Sequence, residues 1–252
     1  MKNEGASFLL AVQFLTRLPI GFGGLYTPRR MAASVRYYPL VGILIGCVSA
    51  AVFFCADLVF PQVLAVFISM ASSLLLTGAF HEDGLADTFD GIGGGLTRDK
   101  ALEIMKDSRL GTYGTLALLA ALALKAGALV ALSPVMILFA LIAGHGLSRL
   151  SSVVVISTSR YVRDHGTGKP VAERGSAITL IVASLTGGAI IAAWCFWQTP
   201  SAFAWGVAGM ILGHVMMRLF FEPKLGGYTG DTLGAVQQSS EIGFYLGLVA
   251  WL

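Results

Sequence analysis

Pairs of long apolar runs constrain this chain more than any other feature of its sequence. Each run has about the length, roughly 20 residues, that crosses the hydrocarbon core of a bilayer as an α-helix. The paired runs are 37–60 with 62–80, 111–132 with 135–156, and 176–198 with 202–221. A last run, 242–252, is too short to cross unless it begins near Gly234, and we expect a partial or tilted helix there. Because helices satisfy their backbone hydrogen bonds within lipid, the runs predict an all-α, polytopic integral membrane protein with about six to seven transmembrane helices in hairpins.

The composition favours a membrane protein over a large soluble helical bundle. Apolar residues make up 56% of the chain and charged residues 12%, whereas about 25% of the residues in soluble proteins are charged. A soluble bundle would also need charged outer helix faces, which the apolar runs lack. The net charge of +3 comes without a long basic run, so we expect no nucleic-acid partner. The cysteines lie singly inside apolar runs, and we expect buried, unpaired side chains at Cys47, Cys55 and Cys195.

Most charged residues fall in four segments that flank the hairpins. The hairpin turns contain no lysine or arginine, and nearly all of these residues lie within 1–36, 81–110, 157–175 and 222–241. The positive-inside rule places such segments in the cytoplasm. We therefore expect a single transmembrane domain, 1–252, with its functional site on the cytoplasmic face. The apolar stretch FLLAVQFLTRLPI predicts either an interfacial helix or a buried cap over that face.

An acidic cluster follows the second apolar run, in the stretch HEDGLADTFDG. On a helix, Asp83, Asp87 and Asp90 would project within an arc of roughly 60°. Like charges at these spacings repel one another, so we expect a cation among them. Mg²⁺ in proteins takes carboxylate oxygens together with water and substrate phosphates. The interleaved apolar residues argue against a solvated acidic loop, and the cluster predicts a Mg²⁺–diphosphate site that also includes Glu82.

A basic stretch and a glycine-rich stretch lie in two of the other charged segments. RDKALEIMKDSRLGTYG offers Arg98, Lys106 and Arg109 as donors to phosphate, although an ordinary salt-bridged surface helix would have a similar sequence. KLGGYTGDTLGAVQQSSE carries Asp231 among glycines and threonines. Glycine-rich loops that open helices bind phosphate through backbone N–H groups, but this one lacks the lysine of the P-loop pattern.

Several charged or ionisable residues fall inside the apolar runs. Such residues are costly in lipid, and each one is by default a functional-site hypothesis. They are Lys125, His145, Arg149, His214 and Arg218. Two of them, Arg149 and Arg218, could instead extend to the edge of the membrane.

Five ordered motifs make the chain resemble a known enzyme family. They are FLTRLPI, YYPLVGILIG, HEDGLADTFDG, ALEIMKDSRLGTYG and GGYTGDTLGA, and they extend over nearly the whole chain. The family is cobalamin synthase, or adenosylcobinamide-GDP ribazoletransferase, a bacterial integral membrane enzyme. The resemblance implies one catalytic domain in the cell inner membrane and a Mg²⁺-dependent reaction. In it α-ribazole, or its 5′-phosphate, attacks adenosylcobinamide-GDP to give adenosylcobalamin, or its 5′-phosphate, and GMP.

The resemblance also implies roles for residues of these motifs. Mg²⁺ would be held by the acidic cluster, and Asp90, or failing that Asp231, would accept the proton of the attacking hydroxyl. The expected substrate-binding residues are His81, Arg98, Lys106, Asp107, Arg109, Gly227, Thr229, Gly230 and Asp231. Expected partners are the two substrates, membrane lipid and other late enzymes of the cobalamin pathway.

Two other functions stay open at this point. A membrane prenyltransferase also holds Mg²⁺ and diphosphate with Asp-rich motifs, but it normally has a second such motif, and here the second loop offers only Asp231. A cation-coupled transporter would use carboxylates as ion ligands. The transporter is disfavoured because the acids cluster at one face and no inverted repeat is visible.

Overall fold

The fold consists of α-helices joined by short connections, in a computed structural model that describes residues 2–20, 24–163 and 177–252. The predicted charged segment 157–175 therefore lies partly outside the described residues. The helices are α1 (Lys2–Leu15), α2 (Pro28–Ser34), α3 (Tyr38–Asp57), α4 (Gln62–Thr77), α5 (Phe80–Gly94), α6 (Arg98–Ile104), α7 (Thr112–Ala131), α8 (Pro134–Thr158), α9 (Ala177–Trp197), α10 (Pro200–Leu225) and α11 (Gly230–Trp251).

The predicted membrane architecture is confirmed. In the described part of the chain, five helical segments are long and apolar enough to span a bilayer: α2 with α3, and then α7, α8, α9 and α10. The pair α4 and α5 gives a sixth if it is counted as one bent span. The predicted run 62–80 ends earlier than expected, at Thr77, because Gly78 and Ala79 adopt left-handed backbone conformations. This break turns the acidic helix α5 by 86° away from α4.

The hairpin turns gather at one end of the molecule. Gln62, at the turn between α3 and α4, donates hydrogen bonds from Nε2 to the carbonyl oxygens of Val130 (3.0 Å) and Leu132 (2.8 Å), at the turn between α7 and α8. In the third turn Trp194 Nε1 donates to the Thr199 carbonyl at 3.2 Å. Since the helices run between the two ends, the described charged connections lie together at the opposite end.

The last helix is longer than the sequence predicts. The expected bounds 242–252 are too short, because α11 has 22 residues and begins at Gly230, close to the alternative start at Gly234. Thr229 and Thr232 form a reciprocal capping box that starts it. Its middle turns carry buried polar side chains, at Gln237, Gln238 and Glu241. These polar residues lower the hydropathy of the segment, so an apolar-run criterion detects only its last turns.

Glycines allow α11 to pack closely against α10. A methyl group at Gly209 would clash with the Gly243 carbonyl, and one at Gly213 would clash with the Ser239 carbonyl. Small residues at such positions let helix backbones approach one another in membranes, where packing replaces the hydrophobic effect as the source of association. The seam fixes α11 along α10 and thereby sets the position of its N-terminus.

Helix α1 acts as the buried cap that was one of the two alternatives for the N-terminal stretch. Leu10, Ala11 and Leu15 are buried, and Phe14 stacks on Tyr38 of α3 with a ring-centroid distance of 6.1 Å. The expected burial of the cysteines is wrong: Cys47, Cys55 and Cys195 are free and exposed. A weakly polar thiol can face outward here because the surface of a transmembrane helix contacts lipid.

Candidate active site

Two sequence-distant motifs meet where α5 packs against the first turn of α11. A methyl group at Gly84 would lie 2.7 Å from the carbonyl oxygen of Asp231, and one at Gly234 would lie 2.9 Å from the carbonyl oxygen of His81. Both positions therefore require glycine if the two backbones are to touch. The contact places Asp231 beside the α5 face that carries Asp83 and Asp87. We call these three carboxylates, Asp83, Asp87 and Asp231, the acidic junction.

The acidic junction concentrates negative charge that one arginine offsets in part. The Asp87 carboxyl is close enough to Asp231 and Asp83 to be repelled by their negative charges. The positive charge of Arg163 opposes this repulsion. Arg163, in the connection after α8, forms an ion pair with Asp231 in which Nη2 and Oδ2 are 2.7 Å apart. The sequence analysis missed Arg163, whose only signal was its place in a charged segment. The three carboxylates exceed this single cation, so the junction has the charge of a cation site.

Asp90 faces away from the acidic junction. Its carboxylate accepts hydrogen bonds from the backbone N–H groups of Gly111 (2.8 Å) and Gly114 (2.9 Å), where α7 begins. A carboxylate at this place satisfies N–H groups that have no partner within the helix, and it interacts favourably with the helix dipole. The structure thus gives Asp90 a capping function, while its role as metal ligand or proton acceptor stays a prediction.

Glu82 also lies apart from the acidic junction, on the inward side of α5. Its Oε1 accepts a hydrogen bond from Gln238 Nε2 at 2.8 Å and lies 3.9 Å from Lys125 Nζ. The helical spacing of the acids is as the sequence predicts, but the packing of α5 divides them among three environments. The role of Glu82 as a metal ligand stays a prediction.

A buried polar network, centred on Glu241, fills the bundle behind α5. Its carboxylate lies 2.8 Å from Lys125 Nζ and 3.3 Å from His145 Nδ1. Arg149 Nη1 donates to the His145 carbonyl oxygen at 2.9 Å. Glu241 is 2% exposed, so it supplies the counter-charge that the membrane-embedded basic residues need. Sequence reasoning missed Glu241 because it lies in the segment that was expected to be a cytoplasmic loop.

The remaining intramembrane residues have local partners. His214 Nδ1 and Ser151 Oγ are 2.7 Å apart. Arg218 forms an ion pair with Glu222, one turn later on α10, at 3.0 Å. The first contact connects α10 with α8, and the second lies within α10.

A small cavity of about 80 Å³ opens beside the acidic junction. Three aromatic side chains form its apolar wall, and its polar wall includes His81, Asp83, Arg149 and Asp231. The aromatic residues are Phe14, Tyr38 and Phe80. Helices α1, α3, α5, α8 and α11 all contribute to the lining.

The glycine-rich connection before α11 is ordered by backbone contacts. Gly227 has a φ of +153°, and a methyl group there would clash with the Arg160 carbonyl. Thr229 caps α11 through its side chain, and Gly230 is the first residue of the helix. These three predicted substrate-binding residues therefore set the direction of α11, and direct substrate contact by them stays a prediction.

The predicted basic residues lie on α6 or just after it. Arg98 Nε donates to the carbonyl oxygen of Leu225 at 2.8 Å and so caps the end of α10. The exposed pair Arg109 and Asp107 is held by a contact of 2.6 Å, and the Arg109 guanidinium lowers the pKa of Asp107 below its usual value. Lys106 lines a groove beside α6. Substrate binding by these residues stays a prediction.

The acidic junction fits a metal that substrate helps to hold. In the described part of the chain, no three His, Cys, Asp or Glu side chains already enclose a metal site. Mg²⁺ needs no such cage, because it commonly uses one or two carboxylates and completes its shell with water and phosphate oxygens. The donor set at the junction consists only of carboxylate oxygens, which Mg²⁺ prefers. The residues present therefore suit a magnesium–phosphate complex.

Comparison with known proteins identifies the family. A family profile described as cobalamin-5-phosphate synthase matches residues 7–249. The adenosylcobinamide-GDP ribazoletransferase of Leptothrix cholodnii is 45% identical over 98% of this chain and 96% of the relative. Proteins of the same name from Shewanella frigidimarina (42% identical; 96% of this chain, 94% of the relative) and Ralstonia pickettii (41%; 100% and 98%) match similarly. No solved structure matches the chain significantly. With matches that extend over nearly its whole length, the chain belongs to the cobalamin-5-phosphate synthase family.

Proposed function

We propose that this chain joins adenosylcobinamide-GDP to α-ribazole, or to α-ribazole 5′-phosphate, with release of GMP. Its family places it among the transferases of cobalamin assembly. The names of the relatives supply the two substrate classes. Both alternatives from the sequence, a prenyltransferase and a cation-coupled transporter, are less favoured because the family match extends over nearly the whole chain.

The acidic junction is the observation that carries this proposal. Asp83 and Asp87 come from one family motif, Asp231 comes from another, and glycine contacts bring the two motifs together. We assign these three carboxylates as the residues that would hold Mg²⁺. When bound, Mg²⁺ would neutralise negative charge on the diphosphate of the donor.

The reaction is a phosphoryl transfer, in which the protein contributes mainly position and charge. The acceptor hydroxyl forms a bond to the phosphorus that carries the cobinamide, and the bond from that phosphorus to GMP breaks. We assign Asp231 as the acceptor of the hydroxyl proton. Asp90 is the weaker choice because both of its carboxylate oxygens already accept backbone hydrogen bonds.

The membrane location follows from the same arrangement. The described charged connections lie at one end of the bundle, which we assign to the cytoplasmic side of the inner membrane because of the lysine and arginine distribution. The acidic junction lies at this end, so water-soluble nucleotides can reach it while lipid surrounds the spans.

Turnover by the purified chain tests the proposal. The full chain in nanodiscs receives adenosylcobinamide-GDP and α-ribazole, with Mg²⁺ or with EDTA, and the cobalamin product and GMP are separated by chromatography. We expect equal amounts of the two products with Mg²⁺ and none with EDTA. Asp83→Asn, Asp87→Asn and Asp231→Asn should each abolish turnover. Full activity in EDTA, or in two of these variants, contradicts the proposal.

A further inference from the structure

A basic groove lies at the charged end of the molecule, next to the acidic junction. It has a volume of about 820 Å³ and is formed by α6, the connection after α8 and the end of α10. Five basic side chains line it, against two acidic ones. The basic residues are Arg98, Lys106, Arg160, Arg163 and Lys224, and the acidic residues are Asp99 and Glu103.

Two of the basic side chains shape the groove. Arg98 donates from Nε to the Leu225 carbonyl, and Lys224 Nζ donates to the Ile92 carbonyl at 2.8 Å. Each long side chain thus ties one wall of the groove to the end of another helix.

The two acids of the groove already have basic partners. Asp99 lies 3.5 Å from Arg98 Nη1, and Glu103 lies 3.0 Å from Lys100 Nζ, outside the lining. Within the described ranges, neither Lys106 nor Arg160 has a carboxylate within ion-pair distance. These two cations leave the groove with an excess of positive charge.

Arg163 joins the groove to the acidic junction. It lines the groove and also forms the 2.7 Å ion pair with Asp231. Tyr161 lies in the same wall, where burial raises the pKa of its hydroxyl. That hydroxyl can donate a hydrogen bond to a phosphate oxygen. The positively charged groove is thus directly adjacent to the negatively charged junction. A metal-bound diphosphate would need both, cations for its phosphates and carboxylates for its metal.

From this juxtaposition we infer that the basic groove binds the nucleoside diphosphate part of the donor, with Lys106 and Arg160 on its phosphate oxygens. The inference rests on the proposed function. The volume falls in the range of about 300–1,000 Å³ that is usual for small-molecule sites. Guanidinium and ammonium groups bind phosphate through charge-assisted hydrogen bonds. With the diphosphate at the Arg163 end, its reacting phosphorus lies toward Asp231 and the nucleoside extends along α6.

Anionic lipid headgroups also carry phosphate, so they are the competing candidate ligand for the basic groove. The nucleotide is favoured because the groove leads to the acidic junction through Arg163, and a lipid phosphate has no need of those carboxylates. A binding experiment with both kinds of phosphate separates the two sources.

The test measures the binding of GDP with Mg²⁺ to the full chain by titration calorimetry. The protein is held in nanodiscs of phosphatidylcholine, which has no net charge. We expect Arg160→Ala and Lys106→Ala each to weaken GDP binding by about 10- to 100-fold, the usual effect of losing a hydrogen bond to a charged group. Arg29→Ala is the control, because Arg29 is an exposed cation on α2 that does not line the groove; its GDP affinity should equal that of the wild type. The thermal midpoint of each variant shows whether it is folded.

Three results would overturn the inference. One is a failure of the wild type to bind GDP, and another is wild-type affinity in both Arg160→Ala and Lys106→Ala. The third is loss of GDP binding when the nanodisc contains phosphatidylglycerol, which would assign the groove to lipid. Because GDP binding requires no turnover, a chain that binds GDP through these residues but forms no cobalamin would refute the proposed function and leave the groove assignment intact.

Discussion

At the scale of single residues, equal spacing along a helix does not give equal surroundings. Asp83, Asp87 and Asp90 are predicted to share a face of α5, and α5 is indeed helical. Asp90 nevertheless caps α7, because two backbone N–H groups at the start of that helix lie within hydrogen-bond distance. A sequence shows which acids would lie on one arc of a helix. Only the tertiary fold determines which of them accepts hydrogen bonds from a neighbouring helix.

Asp90 should therefore matter for stability as well as for activity. Asp90→Ala leaves the N–H groups of Gly111 and Gly114 without a partner, at a cost of about 1–3 kcal/mol for each buried group. We expect a lower thermal midpoint in detergent. Asp83→Ala, which removes a charge from a repelling cluster, should keep the wild-type midpoint. Equal midpoints for Asp90→Ala and the wild type would contradict the capping function.

At the scale of helices, the position of the acidic junction depends on the contact between α5 and α11. Gly84→Ala would place a methyl group 2.7 Å from the Asp231 carbonyl and force the helices apart. A displacement of about 1 Å at a catalytic group lowers rates by about 100-fold, and we expect a loss of turnover near that size with the helix content unchanged. Gly127→Ala on α7 is the control, since nothing lies within 4 Å of the added methyl group. Normal turnover in Gly84→Ala would show that the contact does not position the carboxylates.

The buried network makes a second prediction about helices, because it holds α11 against α7 and α8. Glu241→Gln removes the counter-charge of Lys125 and alters the contact with His145, and breaking a buried pair costs about 3–5 kcal/mol. We expect unfolding at a lower SDS fraction in mixed micelles, followed by circular dichroism. The control Glu222→Gln breaks the half-buried pair with Arg218 and should cost about 0–1 kcal/mol. If the two variants unfold alike, the network contributes no more than a surface pair.

Most of the helices could be predicted from the sequence, and α11 shows why one could not. Apolar runs mark α3, α7 and α9 because these helices expose much of their surface to lipid. Helix α11 is surrounded by other helices, so its outer surface need not be apolar, and it carries Gln237, Gln238 and Glu241 inside the bundle. The site residues Glu241 and Arg163 could not be predicted either, because their ion-pair partners lie far away in the chain.

At the scale of the whole molecule, the two ends of the bundle should face opposite sides of the membrane. In a chain whose three cysteines are replaced by alanine, Ser133→Cys reports the hairpin-turn end and Lys100→Cys reports the charged end. Both positions are exposed. We expect a membrane-impermeant maleimide to label Ser133→Cys in spheroplasts, and Lys100→Cys only after lysis. Labelling of both positions in spheroplasts would contradict the assigned orientation.

The most direct measurement concerns the acidic junction itself, where two motifs more than a hundred residues apart form one cation site. Mn²⁺ can replace Mg²⁺ as a spectroscopic probe, and its electron paramagnetic resonance signal separates bound from free ion in the presence of GDP. We expect one bound Mn²⁺ per chain, and at least about tenfold weaker binding in both Asp83→Asn of α5 and Asp231→Asn of α11, the usual size of a lost charged contact. Wild-type Mn²⁺ binding in Asp231→Asn would show that α11 supplies no ligand, and the junction would not be the metal site.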